Sequence, residues 1–212
     1  MLDKSESVHR HSVFYLFIKR IFDIVASSIG IIFLIPITLI VGLAIKIEDG
    51  GPIFFCQERV TKNGKLFKLI KFRSMVINAE ALRDSLEKDN EMDGPVFKIK
   101  NDKRITKVGH FIRKTSIDEL PQLLNILKGD LSVVGPRPVI GDELEKYGLD
   151  KEKFLSVKPG LTGYWACHGR SNTTYDERMK MELFYVDNRS FSMDIKIIFE
   201  TAISVLKKDG AV

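Results

Sequence analysis

The longest apolar run of the chain lies near its N-terminus. Between Asp23 and Lys46 no residue carries a charge, and the run is long enough to cross the hydrocarbon core of a bilayer as a helix. A core helix of a soluble protein usually keeps a polar face, which this run lacks, so the pattern predicts a membrane-inserted helix over 19–48. A cleaved signal peptide is not favoured, because the run is too long and no small-residue cleavage pattern follows it.

Pro36 lies in the middle of this run and predicts a kink, because proline removes one backbone hydrogen bond of a helix. Basic residues stand on both flanks, beginning with Lys19 on one side and Lys46 on the other. Since basic flanks stay in the cytoplasm, we expect a re-entrant helix that enters the membrane, bends at Pro36 and returns. An N-terminal tail is then expected over 1–18, and one cytoplasmic-face domain over 49–212.

Shorter patterns predict the elements of this domain. Two apolar stretches meet at Asn63-Gly64, a strong signal for a hairpin with a two-residue turn. Gly129 can end a helix just before LSVV, 131–134, which reads as a short buried strand. The C-terminal stretch 190–208 is amphipathic and predicts a helix that either packs on the core or lies at the membrane interface. The predicted class is α/β, mostly α: a re-entrant membrane helix, interfacial amphipathic helices and a small unit containing a β-hairpin.

Composition narrows the possible partners. The 212 residues are 44% hydrophobic and 29% charged, as in a globular protein with one sizeable core. The net charge of +5 and the pI near 9.1 point to an anionic partner: nucleic acid, a membrane surface or a phosphorylated substrate. The two cysteines, Cys56 and Cys167, are far apart and outside any His/Cys cluster, so neither a disulfide nor a zinc site is expected.

The segment TSIDELPQLL, 115–124, places two acids side by side. Ser116 and Glu119 fit the S-x-x-E capping box, and Pro121 is tolerated only near a first turn, so a helix is predicted to begin at 116–118. Asp118 would then lie among unpaired backbone N–H groups, which keep a carboxylate ionised and also attract phosphate oxygens. An ordinary helix cap and a reactive acid both fit this local pattern.

Two arginines stand where they can bind phosphate. Arg113 comes just before the predicted helix start, where a guanidinium and an anion-receptive helix end form a plausible clamp. Arg137 lies between the two prolines of GPRP, 135–138, which stiffen the backbone and limit where the side chain can point. A rigid arginine suits bidentate phosphate binding, and a surface arginine on a tight loop is the alternative.

Further basic residues follow the hairpin and a glycine-rich stretch. Lys71 and Arg73 end the second arm of the hairpin, either as a solvated strand face or as a basic surface for lipid head groups or a pyrophosphate. Arg170 lies in KPGLTGYWACHGRSN, 158–172. This stretch could offer an aromatic face for a base and donors for phosphate, or it could be a packed turn.

These pieces occur in an order that resembles the small monotopic bacterial phosphoglycosyl transferases of the bacterial sugar transferase family. The resemblance covers about nine-tenths of the chain, and so long an ordered set is far more specific than a single glycine-rich match. It is carried by KRIFD at 19–23, KFRSM at 71–75, Arg113, SIDELPQLLNILKGDLSVVGPRP at 116–138, KPGLTG at 158–163, GR at 169–170 and DIKIIFET at 194–201.

The resemblance implies a monotopic enzyme of the bacterial inner membrane with its catalytic domain on the cytoplasmic face. Such enzymes transfer a sugar-1-phosphate from a UDP-sugar to polyprenyl (undecaprenyl) phosphate and release UMP. This is the first membrane step toward a surface glycan: an exopolysaccharide, a capsule, an O-antigen or a glycoprotein glycan. Membrane lipids and a second copy of the chain in a homodimer complete the expected partners.

The same resemblance assigns roles to individual residues. Asp118 matches the family's aspartate nucleophile, which forms a covalent phosphosugar intermediate, and Glu119 matches its dyad partner. Attack by a carboxylate on a pyrophosphate requires charge neutralisation, so Mg²⁺ is the expected cofactor, with Asp118 as a ligand. The expected phosphate-binding residues are Lys71, Arg73, Arg113, Arg137 and Arg170.

The chain departs from the family pattern at two places. Ile35 precedes Pro36 where many members have serine, and the segment 164–170 reads YWACHGR where relatives often read LWQVSGR. The chain also lacks the multi-span N-terminal region of the larger relatives, so a minimal catalytic form is expected.

Two other classes of protein compete with this interpretation. A non-catalytic basic module at the membrane periphery, which binds lipid or nucleic acid, would explain the charge and the anchor. It does not explain the acid pair followed by GPRP. Aromatic residues are also not interleaved with basic ones as in a single-strand or RNA surface, so no nucleic-acid partner is expected. A single-span membrane scaffold is the other alternative.

Overall fold

A computed structural model describes residues 13–82, 99, 101–169 and 173–207 of the chain. This part is mostly helical and contains two small two-stranded sheets, in agreement with the predicted class at that level. The helices are α1 (Val13–Asp49), α2 (Lys107–Lys114), α3 (Gln122–Lys128), α4 (Gly141–Glu145), α5 (Lys151–Phe154), α6 (Tyr164–His168), α7 (Tyr175–Asn188) and α8 (Phe191–Lys207). The strands are β1 (Phe54–Val60), β2 (Leu66–Phe72), β3 (Ser132–Val134) and β4 (Gly160–Thr162).

Helix α1 is one continuous element that includes Pro36 and begins inside the segment assigned to an N-terminal tail. Its 37 residues correspond to a length of about 55 Å. Within the described residues it is the one helix long and apolar enough, by length and composition, to cross a membrane. Its buried residues recur along one face, whereas large apolar side chains elsewhere on it, such as Ile32, Phe33, Leu39 and Ile40, are exposed.

The N-terminal half of α1 is attached to the globular unit through polar side chains. The Arg20 guanidinium donates to the carbonyl oxygens of Ile126 (2.7 Å) and Leu127 (2.9 Å), at the C-terminal end of α3. Asp23 is buried, and its carboxylate accepts from the Ser132 hydroxyl (3.0 Å) and the Val133 N–H (2.9 Å) of β3. These contacts hold the N-terminal half of α1 against α3 and β3.

The C-terminal end of α1 is attached to the same unit. Asp49 forms a two-oxygen ion pair with the buried guanidinium of Arg73, which follows β2. Glu48 accepts from the backbone N–H groups of Lys107 (2.7 Å) and Val108 (3.1 Å), the first residues of α2. Both ends of α1 therefore bind the same globular unit.

The predicted hairpin is present, but its connection is longer than predicted. Strands β1 and β2 pair antiparallel, and the last pair, Val60 with Leu66, leaves residues 61–65 in the loop. Asn63 (φ 61°) and Gly64 (φ 75°) do adopt the left-handed conformation that an Asn-Gly turn requires. The Asn63 N–H donates to the Leu155 carbonyl at 2.9 Å. This contact with a distant residue accompanies the longer loop.

The second sheet lies at the centre of the unit. Strands β3 and β4 run parallel, which confirms the short buried strand predicted over 131–134. Gly129, with φ 95°, ends α3 as predicted. Tyr185 of α7 and Ile197 of α8 bury their side chains against Val134. Helix α8 thus packs on the core through one face and exposes apolar residues, Phe199 among them, on another.

Candidate active site

The acid pair lies on a tight turn and not in the predicted first turn of an α-helix. Ile117–Glu119 form a 3-10 turn, and α3 begins only at Gln122. Ser116 is left-handed (φ 56°), whereas a capping residue needs an extended backbone, and its side chain makes no capping hydrogen bond. The predicted capping box is therefore wrong, and the Glu119 carboxylate is instead paired with Lys71.

Asp118 is a buried acid among charged neighbours. Its residue surface is 9% exposed, and burial raises its pKa to about 6, with the negative charge of Glu119 acting in the same direction. The positive charges of Lys71 and Arg113 act in the opposite direction and lower the pKa. The carboxyl group is therefore mostly ionised at neutral pH, and it is harder to ionise than an exposed aspartate.

Lys71 and Arg113 reach the acid pair from two different elements. Lys71, near the end of β2, places its Nζ 2.9 Å from Glu119 Oε1. Arg113 lies in the last turn of α2, where its Nε donates to the Ser74 hydroxyl at 2.8 Å. Burial lowers the pKa of Arg113, and the charge of Asp118 opposes that shift. The structure thus brings four of the predicted site residues together: Lys71, Arg113, Asp118 and Glu119.

Two other predicted phosphate-binding residues are not placed in this group. The guanidinium of Arg73 is buried, is paired with Asp49 and also donates to the Pro52 carbonyl at 2.7 Å. It does not line the cleft beside the acids, because its donors are used to attach α1. Arg170 lies outside the described residues.

A cleft adjoins the acid pair. It has an empty volume of about 440 Å³, part of it open to solvent. Its walls include Lys71, Glu119, Arg137, Trp165 and Glu182. The lining therefore combines cationic side chains, an indole ring and the carboxylate of Glu119, the neighbour of Asp118 in the chain. Such a cleft can accommodate an anionic ligand that also has a flat or apolar group.

Arg137 projects into this cleft from a rigid crossing of two loops. The Gly160 N–H donates to the Pro136 carbonyl at 2.7 Å, and a β-carbon at Gly160 or Gly163 would collide with the main chain of Gly135. This close approach explains the glycines of GPRP and KPGLTG.

The side chain of Arg137 is exposed, and its Cζ lies 5.6 Å from the centre of the Trp165 ring. Among the described residues, no carboxylate forms an ion pair with this guanidinium. Its donors therefore remain available to a ligand in the cleft.

The chain is similar in sequence to known proteins. The sequence profile of the bacterial sugar transferase family matches residues 14–208. The chain belongs to the bacterial sugar transferase family. The resemblance noted from the sequence is thereby confirmed.

Three relatives illustrate the similarity. The chain is 48% identical to an undecaprenyl-phosphate galactose phosphotransferase of Salmonella typhimurium over 92% of its own length. It is 45% identical to a UDP-galactose-lipid carrier transferase of Erwinia amylovora over 100%, and 40% identical to the exopolysaccharide production protein ExoY of Rhizobium meliloti over 91%. The chain spans 42% and 44% of the first two proteins and 87% of the third.

Sequence reasoning missed a set of charged residues with little exposure at the cleft of this family member. They are Arg59 on β1, which is partly buried, and the buried residues Glu143 on α4 and Arg178 and Glu182 on α7. The one local signal is on α7, where Thr174 and Glu177 form a capping box that fixes the helix start. From that start, the i,i+4 spacing places Arg178 and Glu182 on the same face as buried Val186.

The two acids of the candidate site are also potential metal ligands. No group of three or more His, Cys, Asp or Glu in the described part of the chain is arranged to hold a metal ion. Glu119 lines the cleft, and Asp118 is the preceding residue of the same turn, so the two carboxylates are adjacent in the chain. Mg²⁺ is commonly held by one or two carboxylates together with water and substrate phosphates, so this donor set fits it.

Proposed function

We propose that this chain transfers a sugar-1-phosphate from a UDP-sugar to a polyprenyl phosphate, with Asp118 as the nucleophile. The observation that carries the proposal is the position of buried Asp118. It is flanked by Glu119, Lys71 and Arg113 beside a cleft into which Arg137 projects. The names of the Salmonella and Erwinia relatives, which specify undecaprenyl phosphate and UDP-galactose, support the substrate classes.

In the first step, a carboxylate oxygen of Asp118 attacks the phosphorus that bears the sugar. A new phosphorus–oxygen bond to Asp118 forms as the bond to the bridging oxygen breaks, and UMP leaves with that oxygen. The negative charge that develops is stabilised by cations already in place, of which Lys71 and Arg137 line the cleft. The product is an aspartyl phosphosugar, a mixed anhydride.

In the second step, a phosphate oxygen of the polyprenyl phosphate attacks the same phosphorus. The bond to Asp118 breaks, and the carboxylate is regenerated as the polyprenyl diphosphate sugar forms. A covalent intermediate spares the site from holding two large anions at once, because UMP can leave before the lipid phosphate binds.

Mg²⁺ is proposed as the cofactor, with Asp118 and Glu119 as its protein ligands. When bound, it would neutralise charge on the pyrophosphate oxygens. The Lys71–Glu119 ion pair lies beside this position, so Lys71 helps to hold the Glu119 carboxylate near the cleft.

The glycan is proposed to be a surface polysaccharide. The name of the Rhizobium relative, which the chain covers over most of its length, refers to exopolysaccharide production. UDP-galactose is the first donor to test, because the Erwinia relative is named for it, and UDP-N-acetylgalactosamine is the second, after an Aeromonas hydrophila relative.

We also propose a re-entrant, monotopic position on the cytoplasmic face of the bacterial inner membrane. The support is that Arg20 and Asp23 near one end of α1, and Asp49 at the other, bind the same globular unit. A helix that crossed the bilayer once would separate these two ends by the thickness of the membrane. Cysteine accessibility near Val13 and near Gly51 tests this, since re-entrance leaves both sites on the cytoplasmic side.

The decisive experiment measures UMP release from UDP-sugars in the presence of polyprenyl phosphate, with the protein in detergent or in membranes. We expect turnover by the wild-type protein that depends on added Mg²⁺, and none by Asp118→Asn. Glu145→Gln, an exposed acid on α4, is the control and should keep wild-type activity. Absence of UMP release with every donor would leave the non-catalytic lipid-binding module as the better interpretation.

A further inference from the structure

The main chain of GPRP is held on both sides of Arg137 by charged groups, buried Glu182 and partly buried Arg59. The Arg137 N–H donates to Glu182 Oε1 at 3.1 Å, and the Pro138 carbonyl accepts from an Nη of Arg59 at 3.1 Å. Arg137 thus has a fixed main chain, although its own side chain is exposed.

Arg59 and Glu182 belong to one chain of buried and partly buried charges. Glu143 accepts from Arg59 on Oε1 and from Arg178 on Oε2, both at 3.1 Å, and Arg178 in turn acts electrostatically on Glu182. The remaining charged and titratable groups that act with Glu182 are Arg137, Tyr147 and Tyr175.

Glu182 is the most deeply buried member of this chain. It is 1% exposed, and its Oε2 has no hydrogen-bond partner among the described residues. An unsatisfied buried carboxylate lowers the stability of the folded protein, and a role in packing alone would be served at least as well by a neutral amide. Among the described residues, the one hydrogen bond of its side chain is accepted by Oε1 from the N–H of Arg137, the arginine that points into the cleft.

We propose that Glu182, in its ionised form, is a positioning residue that fixes the Arg137 main chain so that the guanidinium stays directed into the cleft. The proposal rests on the proposed sugar-phosphate transfer, because Arg137 is assigned there to stabilise developing charge on phosphate. Glu182 acts through Arg137 and does not itself contact the reacting atoms.

The charge of Glu182 is central to this role. A hydrogen bond from a backbone N–H to a carboxylate is roughly twice as strong as one to a neutral acceptor. Burial raises the pKa of Glu182 to about 7, while Arg178, the Arg137 N–H and the Arg137 charge act to lower it. The hydrogen bond from the Arg137 N–H to Glu182 should therefore weaken as the pH falls through about 7.

The test is the pH dependence of kcat and kcat/KM for UMP release by wild-type protein and Glu182→Gln. We expect the wild-type kcat to fall as the pH drops through about 7, where Glu182 becomes protonated. Glu182→Gln should lose this fall near pH 7 and be roughly ten- to hundred-fold slower in kcat at pH 8. Glu182→Asp keeps a titrating acid and should keep the fall near pH 7 at a lower rate.

Stability provides the second readout. Ionising a buried glutamate costs folding free energy, so Glu182→Gln should melt at the same or a higher temperature than wild type at pH 8 while it is slower. The surface variant Glu145→Gln is the control and should change neither the melting temperature nor the pH profile.

Each outcome separates this inference from the proposed function. Wild-type protein that releases no UMP at any pH would overturn the proposed function, and the positioning role with it. Wild-type turnover with no fall in kcat around pH 7 would overturn the positioning role alone, and this result needs no variant that folds. Glu182→Gln with an unchanged kcat and an unchanged pH profile would do the same.

Discussion

Lys71 Nζ lies 2.9 Å from Glu119 Oε1, so one acid of the adjacent pair is matched with a cation. Among the described residues the other acid, Asp118, is in no ion pair, and its pKa is raised to about 6. The two carboxylates are therefore not equivalent. Lys71 is the ion-pair partner of Glu119, while Asp118 remains available for bond formation.

Asp118→Asn should make the protein more stable while it abolishes UMP release. The pKa of about 6 lies above the value of about 4 for an exposed aspartate, so the stability contributed by this group falls as pH rises between those values. At pH 7.5 the substitution should raise the free energy of unfolding by about 1–3 kcal/mol. Thermal melting at pH 4 and pH 7.5 checks this, and an equal effect at both pH values would contradict it.

Lys71→Met should shift to higher pH the fall in kcat/KM that protonation of Asp118 causes. The positive charge of Lys71 lowers the pKa of Asp118, so its removal leaves burial and Glu119 less opposed. The measurement is kcat/KM for UMP release between pH 5 and pH 9. Lys68→Met is the matched control, because Lys68 is an exposed residue of the same strand. If both variants shifted this fall equally, only the overall charge of the strand would matter.

Arg137→Lys should not be a conservative change. The planar guanidinium can bind two phosphate oxygens, whereas a lysine offers one point charge. We expect a loss of about 2–4 kcal/mol of transition-state stabilisation, roughly thirty- to thousand-fold in kcat/KM. Thermal stability and membrane binding should barely change, because the side chain is exposed. A lysine variant with wild-type kcat/KM would reduce Arg137 to a supplier of bulk positive charge.

Arg73→Met should affect stability and not substrate binding. The substitution leaves Asp49 without its two-oxygen partner and loosens the end of α1. We expect the free energy of unfolding to fall by about 1–3 kcal/mol, since Arg73 is buried and Asp49 only partly so. KM for the UDP-sugar, measured well below the melting temperature, should stay at the wild-type value. A raised KM without a change in melting temperature would restore the phosphate-binding role predicted from the sequence.

Pro36→Leu should shift the topology of α1. Leucine restores the backbone hydrogen bond that proline cannot make, so a straighter helix becomes more favourable and part of the population should span the bilayer. Labelling of a single cysteine placed near Val13 would then occur from the far side of the membrane. Ile35→Leu is the control, since it leaves the backbone donor unchanged. Unchanged labelling in Pro36→Leu would show that the attachments of Arg20 and Asp49 determine the topology.

Features that depend on local sequence were predictable. The apolar run marks α1, Asn63-Gly64 marks the hairpin, and Gly129 marks the end of α3, because each follows from composition or backbone preference over a few residues. Asp118 and Arg137 were found for a different reason, as parts of a long ordered motif.

Features that depend on distant partners were not predictable. The capping box at Ser116 was expected from spacing alone, but the left-handed backbone there is set by how the turn packs. From the sequence, Arg73 is one more basic residue after a strand. Its partner Asp49 lies 24 positions earlier, and only the fold shows that the two residues are in contact. Glu182 reads as a surface acid of a charged helix, and only the crossing of GPRP over α7 reveals it as buried.

Helix α1 cannot be removed without disturbing the globular unit. Leu34, Val41 and Ile45 of α1 share one hydrophobic cluster with Phe72 and Ile112 of the globular unit. A truncation made to obtain a water-soluble enzyme would strip one wall from that cluster and leave Arg73 buried without its partner. Solubilising this protein for study therefore calls for a shield around the exposed face of α1, such as detergent or a nanodisc, with the full helix retained.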